Sequence, residues 1–330
     1  MANLKNLSVT FLGAVFIALG TASTGQAAQF FGDSETLGDG FVRSYVTLDD
    51  VTGNPSDIGV IFTQGALSLP TGSYVRFDEV RGNPSVPLPT GVGNSDIKIE
   101  LSLPSEALTT GFKQIEVNYR PNGYPPGAEI NVPQFQVAFF RLSSSERDSI
   151  CPSPVTQGPL LVCAGDELAQ ALKPPDPGTL PEGLKQVGFG GPISTAPRSG
   201  TRYVDADLSA PAIEDPQSLT SFYGYTFYNG QQTSTDIVFG KAFLETQPND
   251  VTTSIQQPTA YSSNGYYPTE YRIDYDQTSQ EHLVSLSGLT FHSATPVPEP
   301  SSTLGLLTLG AWGAVSRLKN KLKKQKLGSR

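Results

Sequence analysis

Cysteine, histidine and clustered carboxylates most often carry chemistry in a protein, and this chain holds few of them in useful patterns. Cys151 and Cys163 stand among Pro152, Pro154, Gly158 and Pro159. Two thiolates are too few for structural zinc, which takes four ligands, and no C-x-x-C redox motif is present. In an exported protein such a pair closes a loop as a disulfide, a constraint of about 3 kcal/mol. The two histidines, His282 and His292, fall on parity for one face of an unbroken strand, but Gly288 interrupts it. Surface or edge positions are expected for both. Asp33, Asp39, Asp49, Asp50 and Asp57 are scattered through Gly-rich loops without a D-x-D-x-D-G calcium pattern, and read as solvated acids. Asp205, Asp207, Glu214 and Asp215 precede Pro216, but nothing selects two of them as a glycosidase pair. No G-x-S-x-G elbow, Walker A loop or H-E-x-x-H helix occurs. These patterns assign no catalytic residue, no metal ligand and no cofactor, and the reading leans away from an enzyme.

Aromatic clusters are the other surface chemistry. Tyr223, Tyr225, Phe227 and Tyr228 form one, and Tyr261, Tyr266, Tyr267, Tyr271 and Tyr275 a second. Exposed tyrosines stack on sugars or serve protein interfaces. The single tryptophan, Trp312, lies outside the body of the chain, which weakens a carbohydrate-module reading. Packing and β propensity are the simpler account of these rings.

The elements that must position such residues are mainly strands. Asp96–Leu103 alternates, with Ile97, Ile99, Leu101 and Leu103 on one face and Asp96, Lys98, Glu100 and Ser102 on the other, as in a half-buried strand. Val132–Leu142 places Phe135, Val137 and Phe139 on one face and Gln134, Gln136, Ala138 and Phe140 on the other. Further strands are expected at Phe41–Leu48, Ile58–Thr63, Ser73–Val80, Phe112–Tyr119, Leu219–Tyr228, Ile237–Leu244, Thr269–Tyr275 and His282–Phe291. Turn dipeptides such as Asn229-Gly230 separate them. Helices are expected only at Ser143–Ile150, where Ser143 and Glu146 form a capping box, and at Gly165–Leu172. The pattern predicts a mainly β fold, an antiparallel sandwich or barrel with few short helices. The Pro-rich stretch 173–192 is expected as a loop within one domain or a linker between halves.

Both ends read as addresses. Lys5, the apolar run Leu7–Gly20 and the small residues before Ala27-Ala28 form a secretory signal peptide over residues 1–28, exported through the Sec machinery. Cleavage after Ala27 or after Ala28 fits. At the other end, Val297-Pro298-Glu299-Pro300 precedes an apolar stretch over 303–316. A basic block of Arg317, Lys319, Lys321, Lys323, Lys324 and Lys326 follows. An apolar run followed by cations is a stop-transfer element, which predicts a short transmembrane helix. The prolines hold the preceding segment extended.

This order resembles the PEP-CTERM sorting signal of Gram-negative bacteria, over 296–330. The resemblance implies an exosortase-type membrane protease as partner and transient anchoring in the inner membrane. It also implies delivery to the cell surface or extracellular matrix. A permanently anchored periplasmic structural protein is the alternative destination.

The body, 29–295, resembles an uncharacterised family of secreted bacterial β-proteins. The resemblance rests on segments such as Ser44-Tyr45-Val46-Thr47-Leu48, Pro121-Asn122-Gly123-Tyr124-Pro125-Pro126-Gly127, Val132–Phe140, Phe222-Tyr223-Gly224-Tyr225 and Gly265-Tyr266-Tyr267-Pro268-Thr269. It implies a metal on a β face in relatives, which have P-H-F-D-x-H-F-Y and H-x-V-D motifs and a nearby Glu. Here Gln134, Gln136, Ala138, Arg202 and Asp236 stand at those places. The resemblance therefore implies that the site is degenerate in this chain.

The 330 residues carry a net charge of −9, and 16% of them are charged. The charge is unevenly shared: residues 1–28 carry +1, 301–330 carry +7, and 29–300 carry −17. An acidic body excludes phosphate-backbone recognition, so nucleic acid is not an expected partner. Extracellular polysaccharide or another surface protein is. An exported enzyme of unrecognised class remains the competing function.

Overall fold

The alternating segments become strands, and the turn residues set their joints. A computed structural model describes residues 27–69, 79–81, 83–87, 97–121, 123, 130, 132–157, 160–187, 191–207, 209 and 215–295. Most of the expected signal peptide, the expected strand at Ser73–Val80 up to residue 78, and the whole 296–330 tail lie outside the described residues.

Strands β1 (Ala28–Leu37), β2 (Gly40–Leu48) and β3 (Pro55–Thr63) form a meander. The chain then builds a second sheet. It first lays down β4 (Glu79–Arg81), β5 (Asn83–Pro87), β6 (Ile97–Leu101), β7 (Gln114–Arg120) and β8 (Gln134–Phe140). A small hairpin, β9 (Val155–Gln157) with β10 (Leu160–Val162), comes next. β11 (Leu184–Gln186), β12 (Thr195–Ala196), β13 (Gly200–Asp205), β14 (Ser221–Tyr228) and β15 (Gln231–Gly240) complete the second sheet. The last strands are β16 (Val251–Ser254), β17 (Gly265–Tyr267), β18 (Glu270–Asp276), β19 (Glu281–Ser287) and β20 (Thr290–His292).

The six-stranded sheet runs β1-β2-β3-β19-β18-β16. The ten-stranded sheet runs β11-β13-β14-β15-β8-β7-β6-β4-β5, with β12 beside β13. Among the described residues only β4 and β6 pair in parallel. The first and last thirds of the chain meet at β3 and β19, where Val60 lies opposite Val284 and Phe62 opposite His282.

The two sheets pack face to face as a sandwich, not a barrel. Val42, Val46, Val60, Phe62, Ile273 and Leu286 of the smaller sheet share one core with Ile99, Val117, Phe135, Val137, Tyr225 and Phe239 of the larger. Phe62 meets Phe135 edge-on at 5.4 Å between ring centroids and Phe239 at 6.1 Å. Tyr223 and Tyr271 meet across the sheets at 6.2 Å. Most of the tyrosine clusters are therefore core, as their β propensity suggested.

Several expectations need correcting. The strand expected at Ile237–Leu244 begins six residues earlier and stops at Gly240, and Lys241–Glu245 is a short helix. Asn229 and Gly230, at φ 51° and 84°, make a two-residue turn of the hairpin type, so β15 starts at Gln231. Gly288, at φ 61°, breaks the expected His282–Phe291 strand into β19 and β20. Ala28, the residue that follows the first of the two expected cleavage points, begins β1 and pairs with Leu48. The Pro-rich stretch 173–192 is not all loop, since its β11 pairs with β13 at the edge of the large sheet.

The largest difference concerns the outer face of the large sheet. The alternation of Asp96–Leu103 predicts water on that side, yet Glu100 is buried and β8 is buried on both faces. A second layer covers it. The capping-box helix Ser144–Asp148, the disulfide-bonded segment and the loop around Arg198 all lie over this face. Among the described residues no helix is long and apolar enough to cross a membrane.

Candidate functional site

Strand alternation aims every second residue of β7, β8, β15, β14 and β13 at the outer face of the large sheet. Register then decides which of them meet. Ala138 lies opposite both Asp236 and Glu116, Gln136 opposite Val238 and Asn118, and Gln134 opposite Gly240 and Arg120. Gly224 lies opposite Asp236, and Arg202 opposite Thr226.

The five positions singled out by resemblance therefore share one face, and four of them centre on one carboxylate. Asp236 is buried, and its Oδ2 accepts hydrogen bonds from Gln136 Nε2 at 2.9 Å, Arg202 Nε at 2.9 Å and Thr226 Oγ1 at 3.3 Å. Its Oδ1 accepts from Ser234 Oγ at 2.7 Å. Ala138 is the neighbouring small residue. Gln134, wholly buried, stands two residues along β8, and among the described residues its amide has no partner.

These residues do not fit a metal ion. The Arg202 guanidinium already neutralises the only carboxylate in the cluster, and arginine cannot ligate a cation. Gln136 points an amide nitrogen, a donor, at Asp236. Among the described residues no group of three or more His, Cys, Asp or Glu is assembled anywhere.

A second buried network lies beside the first, and the sequence patterns did not point to it. Glu100 and Glu116 sit directly opposite each other on β6 and β7. Like charges so placed repel. Arg147, from the capping-box helix, lies between them and is almost completely buried. It reaches Glu100 at 3.2 Å, contacts Glu116 through Nη2, donates to Gln114 Oε1 at 2.7 Å and stacks 3.6 Å from the Phe140 ring centroid. Arg198 adds contacts to Glu100 at 2.6 Å and Asp148 at 2.7 Å. Burial opposes ionisation of Glu116, but Arg147 and other nearby cations outweigh it and hold the carboxyl well below its ordinary range. The readable signal was two acids on the polar faces of adjacent strands, with Lys98, diagonal to Glu116, as the nearest strand cation.

Cys151 and Cys163 form the expected disulfide, with Cα atoms 5.2 Å apart. It anchors a small apolar cluster with Ile150 and Ala171. The Ile150 carbonyl accepts from Arg198 N at 3.0 Å, so the disulfide loop borders the arginine network.

His282 is not at a surface or edge. It is fully buried in β19, between β3 and β18. Its Nε2 meets Gln64 Oε1 at 3.1 Å, its ring lies 4.6 Å from Tyr275, and burial pushes its pKa down to about 4. His292 instead stacks on Tyr261 at 3.9 Å on the two-stranded β17–β20 unit. The two histidines do not come together. The loop acids serve turns: Asp49 Oδ1 accepts from Val51 N and Thr52 N, and Asp215 from Gln217 N. A shallow pocket of about 140 Å³, lined by Val132, Leu219, Gly240, Lys241 and neighbours, is well below the roughly 300–1,000 Å³ of ordinary ligand sites.

The arrangement is thus two sets of ion pairs: Arg202–Asp236 within the large sheet, and Arg147 and Arg198, which fasten the covering layer to it. No curated protein and no solved structure matches the chain. Residues 296–320 match the family model of the PEP-CTERM protein-sorting motif. That motif includes the Val297-Pro298-Glu299-Pro300 segment and begins one residue after the last described residue, Thr295. The chain carries a PEP-CTERM sorting signal at the end of a disulfide-bonded antiparallel β body, the mark of an exported protein handled by exosortase.

Proposed function

We propose that residues 29–295 are a non-enzymatic cargo, delivered by exosortase-dependent sorting to the cell surface or extracellular matrix. There it binds polysaccharide or another surface protein. The Sec machinery exports the chain, the 303–316 helix holds it in the inner membrane, and the Arg317–Lys326 block stops transfer. The protease then removes the tail near Pro298-Glu299-Pro300. The observation that carries this reading is the sorting motif at 296–320, set directly behind the folded body.

Other observations support it. The disulfide suits an oxidising destination. Removal of both ends leaves an acidic body, suited to solubility outside the cell. The buried polar clusters on the large sheet are occupied by ion pairs, which favours a structural role for Gln134, Gln136, Ala138, Arg202 and Asp236.

Mass spectrometry of the mature C-terminus, from source cells with and without exosortase activity, tests the reading. A shortened C-terminus that depends on exosortase is expected. Cell-associated protein that still ends at Arg330 in exosortase-competent cells would overturn processing and support permanent anchoring.

A further inference from the structure

The chain leaves the folded body at a fixed point. Ala294 N donates to Asn264 Oδ1 at 2.7 Å, and Thr295 N donates to the Tyr261 carbonyl at 2.8 Å. Both acceptors lie in the turn before β17, so the exit is fastened to the β17–β20 pair. That pair is in turn fastened to the sandwich. Arg141 lies 3.7 Å from the Tyr267 ring centroid and 4.6 Å from that of Phe112, and its Nη2 donates to the Tyr266 carbonyl at 2.7 Å.

Exposed apolar side chains gather on the elements around this exit. Phe291 is 54% exposed on β20 and packs edge-on against Tyr266 at 5.5 Å. Tyr266 Oη donates to Asn54 Oδ1 at 3.0 Å, which ties in the β2–β3 loop whose tip, Val51, is 86% exposed. Leu108, 69% exposed, lies on the 3-10 turn that ends at Gly111. A Cβ on Gly111 would lie 3.3 Å from Gly265 of β17.

We infer that this end of the sandwich seats against a lipid headgroup interface while the tail is in the membrane, with Phe291 and Tyr266 as the interfacial aromatics. The inference rests on the proposed membrane anchoring of the tail. From Thr295 to Thr303, where the apolar stretch starts, the chain spans eight residues, at most about 28 Å fully extended. A domain of about 270 residues has a radius of gyration of about 18 Å, so its far side lies well beyond that reach. The tether therefore presents to lipid only the surface around Thr295. Tyr266, a ring with one polar edge, suits the headgroup level as Tyr and Trp do in membrane proteins, and the exposed Phe291 beside it adds apolar surface. The acids Asp49 and Asp50 beside Val51 disfavour an anionic surface and suit zwitterionic headgroups.

Full-length chain in vesicles of phosphatidylethanolamine and brominated phosphatidylcholine tests this by fluorescence quenching. The native Trp312 is the only tryptophan and reports tail insertion. Two further chains carry Trp312→Phe with either Phe291→Trp or, as a control, Ile193→Trp on the exposed 3-10 turn Pro192–Ser194 that leads into β12. The expected result is strong quenching of Trp312, clear quenching of the Phe291→Trp reporter and none of the Ile193→Trp control. Quenched Trp312 with equal, weak quenching at both reporters overturns lipid seating and leaves anchoring intact. Unquenched Trp312 overturns anchoring and the seating with it. A Phe291→Trp reporter that responds to cell-surface polysaccharide and not to brominated lipid assigns the face to sugar and overturns the inference.

Discussion

Arg202 Nε donates to Asp236 Oδ2 at 2.9 Å across the outer face of the large sheet, with the aspartate almost wholly buried. Removing the cation strands a carboxylate that took considerable desolvation to bury. Arg202→Ala is expected to cost about 3–5 kcal/mol in urea unfolding. Replacing both residues with apolar ones of similar volume is expected to cost much less, because neither charge is then left alone. A double variant that costs the sum of the Arg202 and Asp236 single variants would show that the pair is not coupled.

Arg147 carries a heavier load, since Glu100 and Glu116 face each other with this guanidinium between them. Arg147→Met keeps much of the volume and removes the charge. It is expected to cost at least as much as Arg202→Ala, about 3–5 kcal/mol. Glu116 is held well below its ordinary range chiefly by Arg147, once burial is overcome. A carboxylate with a depressed folded pKa stabilises the fold above its unfolded pKa and loses that contribution as pH falls. In Arg147→Met that hold is gone, so the part of the acid loss below about pH 4.5 that belongs to Glu116 should shrink, read from urea midpoints against pH.

His282 gives the fold a second acid dependence. Its pKa is pushed from 6.5 down to about 4 by burial. The unfolded chain takes up the proton first, so stability is full above pH 6.5 and falls as pH drops through 6.5 towards 4. The loss is up to about 3 kcal/mol. His282→Gln should flatten the pH dependence of unfolding free energy in that window. An unchanged slope would mean that the ring is protonated within the fold.

Gln134 is buried with neither amide atom hydrogen-bonded among the described residues. A buried polar group without a partner costs about 1–3 kcal/mol. Gln134→Leu, close in volume, should raise stability by an amount within that range, read from the urea midpoint. A destabilised variant would reveal a partner for the amide.

The Cys151–Cys163 bridge closes a short loop beside the arginine network. Cys151→Ser with Cys163→Ser should lower stability by about 3 kcal/mol. Reductant should produce the same loss in the natural chain and none in the double variant.

Much of the fold was legible in the residues themselves. Ile97, Ile99 and Leu101 announce β6 because a half-apolar alternation has only one extended solution. Ser143 and Glu146 announce a helix start because their side chains satisfy backbone donors locally. The disulfide and the sorting motif are likewise local statements, written in short spacings. Less legible were β9 to β13, whose short strands lean on neighbours more than on their own pattern. His282 was misplaced for the same reason, since only the pairing of β19 with both β3 and β18 makes its strand central.

Sequence by itself determined the strand faces, the capping box, the cysteine pair and the sorting signal, because each depends on residues close along the chain. Tertiary structure alone decided that the polar face of the large sheet is interior. Glu100, Glu116, Asn118, Gln136 and Asp236 look solvated in any local window. Arg147 and Arg198 arrive from distant segments to neutralise Glu100 and Glu116, Arg202 neutralises Asp236, and Asn118 and Gln136 donate to these carboxylates. Charge neutralisation across such distances in sequence leaves no periodicity to read. It is visible only when strand register and the covering layer bring the partners within hydrogen-bond reach.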